Sequence, residues 1–511
     1  MGMNTSCLPA IMLLVAVAGN GIASVRPPAV AGSFYTDDAQ ALRLQVEKFL
    51  QQAEDTGSQT RAAVAPHAGF VYSGPTAATA LAGIGAADPE RVILLGPSHH
   101  LAFSGGALPA KGVTAFATPL GRVLVDQSAV ARLRGHEEFQ GPSGAHGPEH
   151  SLEVELPFLQ LVAPDARIVP VLVGVNTDRE TSRHMARILA ELLDERTVVV
   201  VSSDFTHHGD RYGYAPFEDH EDVGGDLISL GRATADRLAA VDPDGFWYQV
   251  EVSGDTVCGR RPLAVLMELL SHAFDGTGSV LDVTTSGEAT GNFELSVTYA
   301  AVSFAGAWTS WRADPAPTGP VDLDHDQEEA LLGLARATLE SHLAHDGAVA
   351  GWFAAHAGDP GLDSPAGAFV TVHNTGRRAE QEGRLRACMG VIEARQPVVD
   401  AVISAALSAA RDPRFPPLKL DELDEVEIEV SVLSPAKPVP GPDSVEVGVH
   451  GVILSKSGRR AVFLPQVAPE QGWTRDEMLN HLSRKAGLPT DAWRSGADLE
   501  VFTAQVFGEG K

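Results

Sequence analysis

Four short segments of this 511-residue chain carry side chains able to do chemistry: Pro66-His67-Ala68-Gly69, Gly96-Pro97-Ser98-His99-His100, Ser203-Asp204-Phe205-Thr206-His207-His208 and Thr256-Val257-Cys258-Gly259. Imidazole and thiolate are natural ligands for iron, copper or zinc, and three protein ligands with positions left open is the pattern of a catalytic metal site. Adjacent histidines normally point different ways, so one of each pair is expected to serve. A carboxylate that orients an imidazole is a recurrent acid/base device and equally a support for a metal ligand, which makes Asp204 and His207 candidates for either task. Cys258 precedes a helical run and is followed by Arg260 and Arg261. The helix dipole and the two charges are expected to lower its thiol pKa, which suits a metal ligand and a nucleophile alike. A further cluster, His146-Gly-Pro-Glu149-His150-Ser151-Leu-Glu153, could face the same crevice.

The elements that must position these groups are legible in outline. Apolar runs at 62–65, 91–95 and 198–201 read as buried strands, each ending at one of the three histidine loops. In an open α/β sheet, ligands collect in the crevice beyond the carboxyl ends of the strands, so the loops are expected to converge there. A strand at 168–173, helices at 76–85, 178–194 and 225–240, and a β-branched, aromatic closing strand at 293–304 complete an α/β domain over 26–311. The Pro-rich stretch from Asp314 to Pro320 is incompatible with helix and marks a linker, 312–325. Beyond it, 326–507 opens with a helix at 326–344 whose first turn is acidic. Strands at 368–373, 427–432, 451–454 and 461–464, with helices at 398–410 and 475–486, make this second domain α+β.

Bulk properties narrow the partners. The net charge is −28, from 38 basic against 66 acidic residues, with no basic run. Nucleic acid and anionic membrane both demand a basic footprint, so a small molecule or a peptide is the expected ligand. The three cysteines, Cys7, Cys258 and Cys388, are far apart and form no Cys-x-x-Cys, which fits a reduced compartment, and the cytoplasm is expected. Residues 7–19 are apolar but too short to span a bilayer, and no Lys or Arg precedes them. Residues 1–25 therefore read as a signal-like leader, which leaves export open, or as an upstream mis-assigned start.

Arg26-Pro-Pro-Ala-Val-Ala-Gly-Ser-Phe-Tyr35, the PHAG, GPSHH and SSDFTHHG loops, the string from Glu149 to Gln160, PVLVG and CGRRP occur in an order that strongly resembles the Memo family. The resemblance implies an α/β sandwich related to extradiol dioxygenases. It also implies metal ligation by His67, His99 and Cys258, with Asp204 and His207 as the catalytic pair. His146, His150 and Arg260 are then expected along the cavity wall. Iron is the first expectation, with copper or zinc as alternatives, and the implied function is oxidoreductase-like with an unknown substrate. Extradiol dioxygenases bind iron through two histidines and a carboxylate, so a thiolate in the third place would alter redox behaviour. Fold does not establish reaction. The alternative is a non-catalytic adaptor holding a peptide or phospho-ligand, and a third reading is a hydrolase using Cys258 with His207.

In the second domain, Leu385-Arg386-Ala387-Cys388-Met389-Gly390 resembles the hexapeptide of the AMMECR domain, with Ala387 and Met389 where that family usually has Gly and Ile. A Cβ at 387 is awkward if that backbone needs close approach or positive φ. Arg386, Cys388, Asp412 and Arg414 could gather in a small polar groove. Equally, Asp412 and Arg414 could brace a proline-rich turn and Cys388 act as a small buried hydrophobe. Memo-like and AMMECR-like proteins resemble two parts of the AmmeMemoRadiSam system. Its radical-SAM member is expected on a separate chain, since no Cys-x3-Cys-x2-Cys motif occurs here.

Overall fold

Continuous β-branched runs make the central strands. Val198 to Val201 are wholly buried, as strands covered on both faces must be. The computed structural model describes residues 24–53, 59–217, 220–312, 322–344, 362, 364–392, 397–456 and 459–509. The expected leader, apart from its last two residues, and the proline-rich linker stretch lie outside the described residues.

The main sheet of the first domain contains β1 (Thr60–Ala65), β2 (Arg91–Pro97), β3 (Gly106–Ala107), β4 (Arg167–Val173), β5 (Thr197–Ser202), β6 (Phe274–Thr285) and β7 (Ser296–Trp308), in the order β6-β7-β1-β5-β2-β4-β3. Strands β1, β5, β2 and β4 run parallel, while β6, β7 and β3 are antiparallel to their neighbours. The short strand His207–His208 pairs with the start of β7. Helices α1 (Phe70–Leu81), α2 (Arg179–Ala190), α3 (Val223–Ala239) and α4 (Arg260–Ala273) cover the sheet. Because β1, β2 and β5 are parallel, their carboxyl ends, and the loops that leave them, share one edge.

Two departures from the sequence reading have physical causes. Helix α1 starts at Phe70, not near 76, and encloses Pro75. A proline usually marks the first turn of a helix, which displaces the expected start. Strand β6 was not expected, because its Gly276, Gly278, Asp275 and Asp282 read as loop. It is an edge strand paired along its length with β7, and a Cβ at Gly278 would lie 2.4 Å from the carbonyl of Ala239 at the end of α3.

The second domain is built on two four-stranded antiparallel sheets. One has the order Leu385–Val391, Gly367–Asn374, Val426–Leu433, Ala504–Gly508, and the other Lys437–Val439, Asp498–Phe502, Gly451–Lys456, Arg459–Phe463. Helices His325–Ala344 and Val398–Ala409 pack on the first and on each other, and Arg475–Lys485 packs against the second. Among the described residues no helix is long and apolar enough to cross a membrane.

Candidate metal centre

His67 stands one residue beyond Pro66 at the end of β1 and is almost wholly buried. Its backbone N–H donates to Asp204 Oδ1 at 2.8 Å, which ties the loop after β1 to the loop after β5. Its ring is fixed by Ser202. The Oγ of Ser202 lies 2.8 Å from His67 Nδ1, 2.6 Å from the carbonyl of Ser151 and 2.8 Å from Glu155 Oε1. The Ser151 carbonyl and the Glu155 carboxyl both accept from Ser202, so its one hydroxyl proton is already claimed and His67 Nδ1 must donate to Ser202 Oγ. That accounting puts a proton on His67 Nδ1. Burial pushes the Glu155 carboxyl up to about 8, against the Ser202 hydrogen bond and with the nearby Asp204 charge. The consequence is that His67 Nε2 carries the lone pair, and it sits 3.3 Å from Cys258 Sγ. Burial and the neighbouring His99 and His150 hold His67 well below the ordinary histidine pKa, so it is a neutral donor.

Glu149 organises the second loop. It accepts from the backbone N–H of His99 at 2.7 Å, of His150 at 2.8 Å and of Ser151 at 3.0 Å, and lies 2.9 Å from His99 Nδ1. Burial alone would raise its pKa, but the bonds from His150, His99 and Ser151 outweigh it and hold the carboxylate far below its usual range. The rings of His99 and His150 stack with centroids 4.7 Å apart, and His67 meets both edge-on. Ring nitrogens of His67, His99 and His150 lie within 4.8 Å of one another, as do donor atoms of His67, Asp204 and Cys258. His67 is common to both sets, and the expected trio of His67, His99 and Cys258 spans them.

Cys258 differs from the sequence reading. Its thiol is pushed well above the ordinary cysteine value by burial and then by the Asp204 charge. The two arginines do not offset this. Arg261 lies over the Trp247 ring and donates to the carbonyl of Val175, and Arg260 lines a different cavity. The Asp204 backbone N–H reaches Cys258 Sγ at 3.3 Å.

His207 is oriented by its own loop: its Nδ1–H donates to the carbonyl of Phe205 at 2.9 Å, leaving Nε2 as the acceptor. The expected hydrogen-bonded pairing of His207 with Asp204 is therefore not made, although both line the same crevice. The partners of the paired histidines turn elsewhere, with His208 stacked on Phe217 and His100 exposed. His146 is also absent from the crevice. It is buried, its Nε2 donates to the carbonyl of Ala107 at 2.9 Å, and its ring meets Phe116 edge-on, which makes it a packing residue.

The crevice is a cavity of about 750 Å³, and Phe34, Tyr72, Tyr212 and Tyr299 line it with the histidines. Ser33 and Phe34 come from the N-terminal string that ends at Tyr35, and Tyr299 comes from β7, where no local motif announces it. Ser202 and Glu155 were likewise not singled out as functional, and Glu149 was named only within the cluster that could face the crevice. The clue available was their position: Ser202 directly precedes the SDFTHH loop, and both glutamates lie in the string from Glu149 to Gln160.

In the second domain, Cys388, Asp412 and Arg414 do come together. Asp412 accepts from the backbone N–H of Cys388 at 3.0 Å and from Arg414 Nη2 at 2.6 Å, and Arg414 Nη2 also donates to the carbonyl of Cys388 at 2.7 Å. Arg386 is engaged by Glu422 at 2.7 Å and by the carbonyl of Pro417. These groups are spent on one another, bracing the turn from Asp412 to Pro417 against a strand. Ala387 is buried opposite Val372 in an antiparallel ladder, next to a register shift between Val372 and His373, and it is not among the residues with positive φ.

Fold and site together define a metal-site candidate: a mixed α/β domain presenting imidazole, carboxylate and thiol donors at the carboxyl ends of parallel strands, joined to an α+β domain. The family model described as Memo-like protein matches residues 26–303, and the one described as AMMECR1 matches residues 332–507. The chain belongs to the Memo family and carries an AMMECR1 domain behind the Memo domain. A MEMO1 family protein of Methanopyrus kandleri is 35% identical over 296 residues, which cover 55% of this chain and 98% of that protein. Protein MEMO1 of Danio rerio is 31% identical over 281 residues, covering 53% and 94% respectively. Among solved structures, an uncharacterized protein of Pyrococcus horikoshii is 34% identical, covering 37% of this chain and 93% of its own, with a TM-score of 0.32.

Proposed function

We propose that the Memo domain binds a transition-metal ion, iron in the first place and copper or zinc otherwise, through His67, His99 and Cys258, and that it is an oxidoreductase-like protein. The observation that carries this reading is the forced proton inventory at Ser202, which leaves the buried His67 Nε2 as a lone-pair donor 3.3 Å from Cys258 Sγ. Two imidazoles and a thiolate fit iron, copper or zinc by donor chemistry, and such an ion would supply Lewis acidity and, for iron or copper, one-electron chemistry. The chain's own residues do the rest. Ser202 and Glu149 fix the ring orientations of His67 and His99, as outer partners of metal-bound histidines do. His150 stands beside the site as a further nitrogen donor. His207, with Nδ1–H committed to Phe205, can take a substrate proton at Nε2. The aromatic walls favour a substrate with an apolar body.

Loading the protein with cobalt(II) tests this reading. A near-ultraviolet thiolate-to-metal absorption at one equivalent, abolished in Cys258→Ser, is expected. Cobalt that binds without that absorption in the wild type would contradict it.

A second reading has its own observation. Val71, Tyr72, Tyr212 and Leu295 are exposed large apolar residues, and all four line this crevice. Such a rim suits a peptide held without turnover. Peptide binding that persists unchanged after chelation would favour it.

A further inference from the structure

The buried Glu149 carboxylate reaches two imidazoles, not one. Its Oε1 lies 2.9 Å from His99 Nδ1 and 3.2 Å from His150 Nδ1, and both residues also donate their backbone N–H groups to this carboxylate. A carboxylate that faces one nitrogen of an imidazole leaves the other nitrogen as the donor, the arrangement that outer partners of metal-bound histidines adopt. His150 therefore has the same preparation as His99, with Nε2 left to bind.

Packing explains part of this. The His150 ring stacks on His99 and meets Phe34 edge-on at 4.8 Å, distances that aromatic contact alone produces. Contact between faces and edges does not require the nitrogens to converge. Here ring nitrogens of His67, His99 and His150 all lie within 4.8 Å of one another, and all three residues line the crevice. Their ring centroids are 4.7, 5.2 and 5.4 Å apart in pairs. Imidazoles that share one ion through nitrogen bonds of about 2.0–2.1 Å hold their centroids roughly 4.5–5.5 Å apart. The three rings are thus spaced as ligands of a single ion, with Cys258 Sγ 3.3 Å from His67 Nε2.

We infer that His150 is a fourth protein ligand, so that the ion is held by three imidazoles and the Cys258 thiolate. This rests on the metal reading above and goes beyond it by naming a ligand outside the expected trio of His67, His99 and Cys258. The added imidazole decides which ion leaves room for a substrate. Four protein donors close the shell of a tetrahedral ion such as zinc. Iron takes more than four ligands and keeps positions open. His150 thereby reserves substrate binding for an ion of higher coordination number.

X-ray absorption of the full chain loaded with one equivalent of cobalt(II) tests the inference, because it counts imidazole and sulfur neighbours of the ion separately. Three imidazoles and one sulfur are expected in the wild type. In His150→Phe, which keeps an aromatic ring beside His99 and Phe34, the count is expected to fall to two imidazoles with the sulfur retained. Competition with a chromophoric chelator is expected to show cobalt held roughly tenfold or more weakly by this variant, since tenfold is the lower limit for loss of even an outer partner. His100→Ala, which alters an exposed residue, is expected to bind as the wild type does. A wild type with one sulfur and only two imidazoles, the fourth place falling to Asp204 of the other donor group, would overturn the inference and leave the metal reading standing. So would an imidazole count and affinity unchanged in His150→Phe. Three imidazoles without sulfur would sustain His150 and contradict the thiolate ligand, and a chain that takes up no cobalt would overturn both.

Discussion

The two cysteines that the structure describes stand in opposite kinds of surroundings. Cys258 sits at the mouth of a helix, its Sγ 3.3 Å from a histidine nitrogen and grouped with His67 and Asp204 as a donor cluster. Cys388 sits within a strand, its backbone amide and carbonyl held by Asp412 and Arg414 and its Sγ 3.4 Å from the Thr371 hydroxyl. In the first domain the polar side chains surround a space and point into it. In the second they close on each other. The difference shows why a memorable motif is not by itself a site: what matters is whether the donor atoms of several segments gather on one another around a common space.

The comparison can be broken most sharply at the ligands. Cys258→Ser and His67→Ala are expected to abolish stoichiometric metal binding, read by elemental analysis, while Cys388→Ser leaves the stoichiometry unchanged. Next in size are the residues that orient the ligands. Ser202→Ala and Glu149→Gln are expected to weaken metal binding by roughly 10- to 100-fold, the usual cost of removing such a partner, measured by competition with a chromophoric chelator. Glu155→Gln keeps a side-chain oxygen that can accept from Ser202 Oγ. Its metal affinity is expected to stay within about tenfold of wild type, the lower limit of such losses, and a loss as large as that in Ser202→Ala would mean that the Glu155 charge itself supports the site.

The second domain offers a smaller, pH-dependent effect. Hydrogen bonds from Arg414 hold the Asp412 carboxyl at about 2. A depressed folded-state pKa contributes stability that is complete above the unfolded value of about 4 and lost as the pH falls toward the folded value. Thermal unfolding of the wild type is therefore expected to weaken between these two pH values, and Asp412→Asn to flatten that dependence. Identical pH profiles for the two proteins would refute the brace.

Much of the site was legible in the sequence because its parts lie at the ends of short, continuously apolar runs. Such runs are read as buried strands, and parallel strands bring their carboxyl ends together. His67, His99, Asp204 and His207 were found that way, and Cys258 by its place before a helix start. Residues whose role depends on three-dimensional partners were not. Ser202 matters only because Ser151 and Glu155 between them claim its one hydroxyl proton, and nothing in their spacing announces that. Arg260 and His146 were assigned to the crevice by proximity in sequence. A helix start turns Arg260 toward the other domain, and the carbonyl of Ala107 draws His146 into the core. Strand β6 was hidden by its glycines, of which Gly278 is required by the close approach of α3 and Gly276 by that of β7.

The central claim is that His67, His99 and Cys258 hold a metal ion. Metal content measured by mass spectrometry on protein purified without oxygen, wild type beside Cys258→Ser, tests it most directly. The account predicts about one iron or copper per wild-type chain, the one-ion stoichiometry of a single three-ligand site, and its loss in the variant. A folded wild type without metal, or a variant that keeps the full complement, would contradict it.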